Sequence, residues 1–329
     1  MNYMFKLSKN HTYSIGVDIG EDCLKMIQLG DNGKGINLIA GSSENLSNDV
    51  KSGSAQWQMW AIEAIRQLTS NGDFHGKEVI AAMPANELFI DNIKMPKADS
   101  GKLEDVIFSK IKQKLPFEPI QKNVMMKYVP MERDNVLVMA TERKIIDRHL
   151  AIYEKAGLAI KSMGVWPVAL ANCYTRFFGR RKSDLEAIVI LVCIETNCTN
   201  VVICRHKNLL FARSVSIGLT QLGNEKMLNR LVLELTACRR QFASMYPKAQ
   251  IERLIFLSSQ AVDKDVCVTI AKQLEIPAQV GDCLAAVQIA DSCRLGRDSE
   301  PHKKAVIGNP IDRRNCQVNW AVAFGLSLS

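Results

Sequence analysis

The chain has 329 residues, 47% of them hydrophobic and 23% charged, with a formal net charge of +8. That is the balance of a folded globular protein, and it excludes disorder, collagen-like repeats and low-complexity architecture. At about 150 residues per domain there is room for two domains, and a chain of this size buries enough surface to fold without disulfide or metal staples. The longest uninterrupted apolar run, Ala187 to Ile194, is eight residues, well short of the ~20 of a membrane-spanning helix. The first ten residues are broken by Lys6 and Lys9 and lack the apolar core of a signal peptide. The expectation is a protein made and kept in the cytosol.

The ten cysteines include no CxxC pair, and no His stands at zinc-finger spacing from them. Several sit in apolar runs, as buried small hydrophobes do in a reducing compartment. The positive charge suits an anionic partner. The basic residues are scattered, however, in pairs such as Arg180-Arg181, Arg239-Arg240, Lys303-Lys304 and Arg313-Arg314, and aromatic residues make up only 6%. No basic stretch interleaved with aromatics offers a base-stacking surface, so nucleic acid is not an expected partner.

Residues 14–29 read as a hairpin. Ile15, Val17 and Ile19 alternate on one strand, Leu24, Met26, Ile27 and Leu29 mark the other, and Gly20-Glu21-Asp22 is the turn. A third strand covers Gly35 to Ala40, Asn45 to Ser54 is polar loop, and Trp57 to Leu68 has helical apolar spacing. Val79 to Met83 is a short buried strand stopped by Pro84. Next comes a strand over Glu87 to Ile93, then a helix over Lys102 to Leu115 ended by Pro116. Strands follow at Val124 to Val129 and Val136 to Ala140, and then a helix over Ile145 to Ala156 closed by Gly157. This order suggests an inserted α/β subdomain.

Met163 to Phe178 is helical after Pro167, and the basic stretch Gly179 to Asp184 reads as a linker. Ala187 to Ile203 then repeats the opening hairpin. A shift of 175 residues carries Ile15 to Ile190, Val17 to Val192, Ile19 to Ile194 and Cys23 to Cys198. The pattern indicates an internal duplication. A strand at Leu209 to Val215, a long helix at Glu225 to Tyr246, a strand at Ile251 to Leu257, a helix at Asp263 to Leu274 and a short strand at Ala278 to Val280 follow. Asp298 to Gln317 is a polar, basic loop, and Val318 to Leu328 is an apolar helix. The fold class is therefore α/β, with two halves that each open on a hairpin around a tight acidic turn.

Two constellations carry chemistry. In Gly16-Val17-Asp18-Ile19-Gly20, Asp18 ends an apolar strand, where a carboxylate needs a partner, and Gly20 permits close approach of a backbone turn to a phosphate. The pair suits a Mg-nucleotide; a carboxylate capping its own turn is the plain alternative. In the duplicate turn, Cys193-Ile194-Glu195-Thr196-Asn197, a thiol replaces the acid and Glu195 replaces the glycine. A thiol is a poor ligand for Mg²⁺, and Glu195 puts negative charge where a phosphate would arrive, a repulsion that only a metal bridging Glu195 to the phosphate would reverse. The five histidines lie apart, mostly in polar turns, and Glu104 and Asp105 belong to a solvated helix face.

The run IGVDIGEDCLKMIQL resembles the opening of the type IV pilus assembly protein PilM family, actin-like relatives of the cell-division protein FtsA. The resemblance continues in order through Lys114-Leu115-Pro116-Phe117-Glu118, Lys155-Ala156-Gly157-Leu158, Asn208 to Arg213 with Ile217-Gly218, and Val322-Ala323-Phe324-Gly325-Leu326. It covers about residues 13–328, and the ordered set is far more specific than any one motif. It implies duplicated actin-like lobes of the ribonuclease H type. Residues 14–82 and 163–182 would form the first lobe, 186–329 the second, and 83–162 an inserted FtsA-type subdomain.

The resemblance also implies ATP and Mg in the cleft between the lobes. Asp18 and Gly20 match the first phosphate loop, with Mg held through Asp18, and Lys25 stands at the family's lysine position. Glu195 and Thr196 match the second phosphate loop, and Ser258 and Ser259 the adenosine loop. Two departures follow: the second loop reads Cys193-Ile194-Glu195 in place of an Asp-Ile-Gly type, and Leu257-Ser258-Ser259-Gln260-Ala261 lacks the usual glycines. The implied function is an adaptor at the cytoplasmic face of the inner membrane. It would bind the N-terminal peptide of a PilN-like membrane protein, meet other platform proteins, and reach the membrane through these partners, since the chain ends at Ser329 without an FtsA-type amphipathic helix. Any ATPase activity would be weak. The alternatives are a scaffold of a type II secretion or mannose-sensitive pilus system, or a sugar or acetate kinase of the same superfold.

Overall fold

The computed structural model describes residues 11–33, 35–47, 49–95, 103–257, 262–289, 309–310 and 318–329. The first elements are β1 (His11–Thr12), β2 (Ile15–Ile19), β3 (Cys23–Asp31), β4 (Ile36–Asn45), α1 (Ala55–Asn71) and β5 (Glu78–Met83). β2 is buried on both faces, which is why it reads as an unbroken apolar run. Then come β6 (Phe89–Lys94), α2 (Leu103–Ile111), β7 (Val124–Pro130), β8 (Asn135–Glu142), α3 (Arg143–Ala156), β9 (Ala159–Val165), α4 (Trp166–Phe177) and α5 (Lys182–Glu186). The chain continues through β10 (Ile188–Ile194), β11 (Thr199–Arg205), β12 (Asn208–Val215), α6 (Leu219–Leu222), α7 (Glu225–Met245), β13 (Arg253–Phe256), α8 (Lys264–Leu274) and β14 (Ala278–Val280). It closes with β15 (Gln288–Ile289), β16 (Asn309–Pro310) and α9 (Ala321–Ser327).

The strands make three sheets. The first runs β15-β4-β3-β2-β5-β9, and the second runs β12-β11-β10-β13-β14. Their centres repeat one plan. A hairpin (β2–β3, β10–β11) gains an antiparallel third strand (β4, β12), while two parallel strands join on the other side (β5 and β9, β13 and β14). The duplication read from residues 15–27 therefore extends over five strands in each half. A small antiparallel sheet, β6-β8-β7, lies between β5 and α3 in sequence.

The halves are joined by exchanged helices. α4 follows the first sheet but packs on β10, β11 and β12 of the second. α9 follows the second half but packs on β2, β3 and β5 of the first, and α4 and α9 touch along their lengths. Contact is so close that a Cβ on Gly16 of β2 would come 2.2 Å from the Ala323 carbonyl oxygen, and one on Gly325 would come 1.8 Å from that of Ala169. These two glycines let backbone meet backbone.

Three sequence expectations are corrected. β9 has no counterpart in the sequence reading: its exposed Ala159, Lys161 and Ser162 break the apolar run that marks a buried strand. α4 begins at Trp166, ahead of Pro167, which occupies the first turn where its missing N–H costs nothing. The stretch read as a linker contains α5. Its Asp184 is 1% exposed, accepts from the Arg181 N–H at 2.9 Å and pairs with Arg253 at 2.6 Å. The αL stop at Gly157 (φ 82°) ends α3 as expected.

Candidate functional site

The two duplicated turns face each other across a cleft. Gly20 closes the first turn by donating to the Cys23 carbonyl at 2.8 Å, and Glu195 closes the second by donating to Cys198 at 2.8 Å. Asp18 and Lys25 are cross-strand partners on β2 and β3, and Cys193 and Asn200 hold the same relation on β10 and β11. Lys25 is the centre of the cleft. Its Nζ donates to Asp18 Oδ2 at 2.9 Å and to Glu195 Oε2 at 3.2 Å, with its side chain 5% exposed. Burial pulls the ammonium down, but the carboxyls of Asp18 and Glu195 outweigh it and hold Lys25 well above its ordinary value. Burial in turn pushes the Glu195 carboxyl up, helped by Asp18, against the pull of Lys25.

The second oxygen of Glu195 accepts from the Cys193 thiol at 3.3 Å. Burial, then Glu195, raise that thiol well above its usual range, so it stays protonated at neutral pH. Two more side-chain bonds cross the cleft. Thr196 Oγ1 donates to Asp22 Oδ2 at 2.6 Å, and Asn197 Nδ2 donates to Glu21 Oε2 at 3.0 Å. The structure thus brings together Asp18, Gly20, Lys25, Glu195 and Thr196; Ser258 and Ser259 lie outside the described residues.

Three residues of the region escaped sequence reading. Asn200 lines the cleft, is 3% exposed, and has no hydrogen-bond partner for its Oδ1; the 175-residue shift from Lys25 points straight to it. Asn319 Nδ2 donates to Cys193 Sγ at 3.1 Å and to the Leu257 carbonyl at 2.9 Å, while its Oδ1 accepts from Ala321 N–H at 3.1 Å. It thereby fixes the start of α9 against the second turn. His149, on the helix expected over Ile145 to Ala156, is fully buried on α3 with Nε2 2.7 Å from Glu87 Oε2, and Arg148 pairs with the other oxygen. Glu87 follows Pro84-Ala85-Asn86, which lines the cleft. Burial pushes its carboxyl up, but the His149 hydrogen bond and the His149 and Arg148 charges outweigh that, and it sits below its usual value.

Comparisons with known proteins place the chain. The family model described as type IV pilus assembly protein PilM matches residues 16–233. The chain belongs to the PilM family. It is also similar to a solved PilM-PilN type IV pilus biogenesis complex, with a TM-score of 0.73 at 17% identity over 96% of this chain and 98% of that one. A Bacteroides thetaiotaomicron protein with an actin-like ATPase fold and unknown function matches at a TM-score of 0.52 and 8% identity, over 87% of this chain and 96% of that one. These two likenesses establish the actin-like fold. The cytoplasmic domain of EpsL, from the Vibrio cholerae type II secretion system, matches at 0.48 and 13% over 86% and 87%. No curated protein sequence matches. Among the described residues no helix is long and apolar enough to cross a membrane.

The fold implies ATP and Mg in this cleft, and the described residues do not fit them. The ammonium that would meet a phosphate is already bonded to two carboxyls. Cys193, a protonated thiol, stands where the first turn has Asp18. Among the described residues, the open space between the turns is about 60 Å³.

Proposed function

We propose that the chain is a cytoplasmic actin-like adaptor of a type IV pilus inner-membrane platform, docking the N-terminal cytoplasmic tail of a PilN-like membrane protein. The observation that carries this reading is the likeness over 96% of the chain to a PilM solved together with PilN. The family match over residues 16–233 favours pilus assembly over a type II secretion scaffold or a kinase of the same superfold. In this reading the tail docks between a first lobe (14–82 and 163–182) and the inserted subdomain (83–162), with 186–329 as the second lobe. The adaptor would then sit at the inner membrane through its partners, without touching nucleic acid.

The test is fluorescence anisotropy with a labelled synthetic peptide. Its sequence is the N-terminal cytoplasmic tail of a PilN-like membrane protein from the same source as this chain. Saturable micromolar binding, lost on scrambling the peptide, is the expected result. No binding, or equal binding of the scrambled peptide, overturns the reading.

A further inference from the structure

We propose that Glu195 is a built-in anion for this cleft: it occupies the Lys25 ammonium in place of a nucleotide phosphate and clasps the two halves shut without a ligand. The inference is independent of the partner reading above, because every contact it uses lies within this chain.

Four observations converge. First, Lys25 is the single cation among the described residues lining the cleft, whereas Asp18, Glu21, Asp22 and Glu195 bring four carboxyl groups. A phosphate arriving there meets an occupied cation inside an acidic wall. Second, Glu195 reaches from the second half to a lysine of the first, and its contact with Lys25 is the deepest of three cross-cleft bonds. The others, Thr196 to Asp22 and Asn197 to Glu21, run parallel to it at the rim. Third, Glu195 aligns with Gly20 under the 175-residue shift. The same turn in the first half therefore does without a side chain where this one carries a carboxylate.

Fourth, the small inserted sheet of the first half is tied to the second half away from the cleft. The Asn92 side chain on β6 pairs with the Ala212 backbone on β12 as a strand would, donating at 2.8 Å and accepting at 3.1 Å. Arg205 on β11 pairs with Glu132 beside β7 at 2.7 Å. A fold built to open and close around a ligand would have little reason to cross-link itself at both ends.

The experiment compares the full chain with Glu195→Gly, and with Glu195→Gln as the size-matched control. Calorimetric titration with Mg-ATP is run beside amide hydrogen exchange in the two turns, 20–23 and 195–198. An anion about 5 Å from Glu195, at an effective dielectric of about 20, is repelled enough to weaken binding about 100-fold. The expected result has three parts. The wild type gives no binding and no exchange protection at millimolar Mg-ATP. Glu195→Gly binds at least about 100-fold more tightly than the wild-type limit. Both variants exchange faster at both turns without nucleotide.

Micromolar binding by the wild type overturns the proposal. So does a Glu195→Gly variant whose binding and exchange match the wild type. Faster exchange without any gain in Mg-ATP binding overturns the assignment of Glu195 as a phosphate substitute. Native circular dichroism of both variants separates these outcomes from a failure to fold.

Discussion

Gly325→Ala places one methyl group between α9 and α4. The new Cβ would stand 1.8 Å from the Ala169 carbonyl oxygen, against a contact limit of 3.0 Å, so the helices must part by at least 1.2 Å. α9 has nowhere to retreat. On its other side the Ala323 oxygen already lies 2.2 Å from where a Cβ of Gly16 would be, so the first sheet stops it. Both obstacles are backbone, which does not swing aside as a side chain does. Overpacking of this kind costs about 1–3 kcal/mol, and with two rigid walls we place it at about 3 kcal/mol. The control is Gly223→Ala. Gly223 has φ −66°, and nothing lies within 4 Å of the place its new methyl group would take, so alanine there is neutral or stabilises by a few tenths to about 1 kcal/mol. Urea unfolding of the three proteins, followed by tryptophan fluorescence, reads the difference. A Gly325→Ala midpoint equal to that of Gly223→Ala would refute the close-packed, exchanged-helix account.

Three further outcomes follow from the site. Lys25→Met leaves Asp18 and Glu195 facing each other in a largely buried cleft, a loss of about 3 kcal/mol at pH 7. Burial already pushes the Glu195 carboxyl up, and protonating it relieves the repulsion, so urea midpoints of the variant should approach the wild type as the solution is acidified; a constant gap would argue against the ion triad. Glu87 is held below its ordinary value of 4.5 by His149 and Arg148. Its contribution is therefore complete above that pH and is lost as pH falls through the lower folded value. Glu87→Gln should cost about 2 kcal/mol at pH 7, and the gap should close in acid; thermal melts across the acid range check the sign. Burial pushes the Cys23 and Cys204 thiols up to about 12, so neither should be alkylated by iodoacetamide in the native protein, and stoichiometric labelling found by mass spectrometry would contradict their placement.

Much of this was legible in the sequence because the duplicated strands are buried on both faces. β2 and β10 must then be continuous apolar runs, and their likeness survives as a constant offset. That offset alone relates the turn after Asp18 to the turn that carries Glu195. β9 was hidden because it is partly exposed along its length, so no apolar run or clean alternation marks it. Asn319 was hidden for a different reason: it lies at the start of an apolar helix, and only the fold brings it to Cys193. His149 and Glu87 are 62 residues apart, on elements that no local pattern relates. The exchange of α4 and α9 between sheets is likewise invisible locally, although Gly16 and Gly325 record it as absent side chains.

The proposed adaptor holds its partner without help from a nucleotide. Its most direct test is calorimetric titration of the purified chain with the PilN-like tail peptide, in the presence and absence of Mg-ATP. Saturable binding with the same affinity in both conditions is the expected result. Binding that appears only with Mg-ATP, or shifts tenfold or more on its addition, would contradict it.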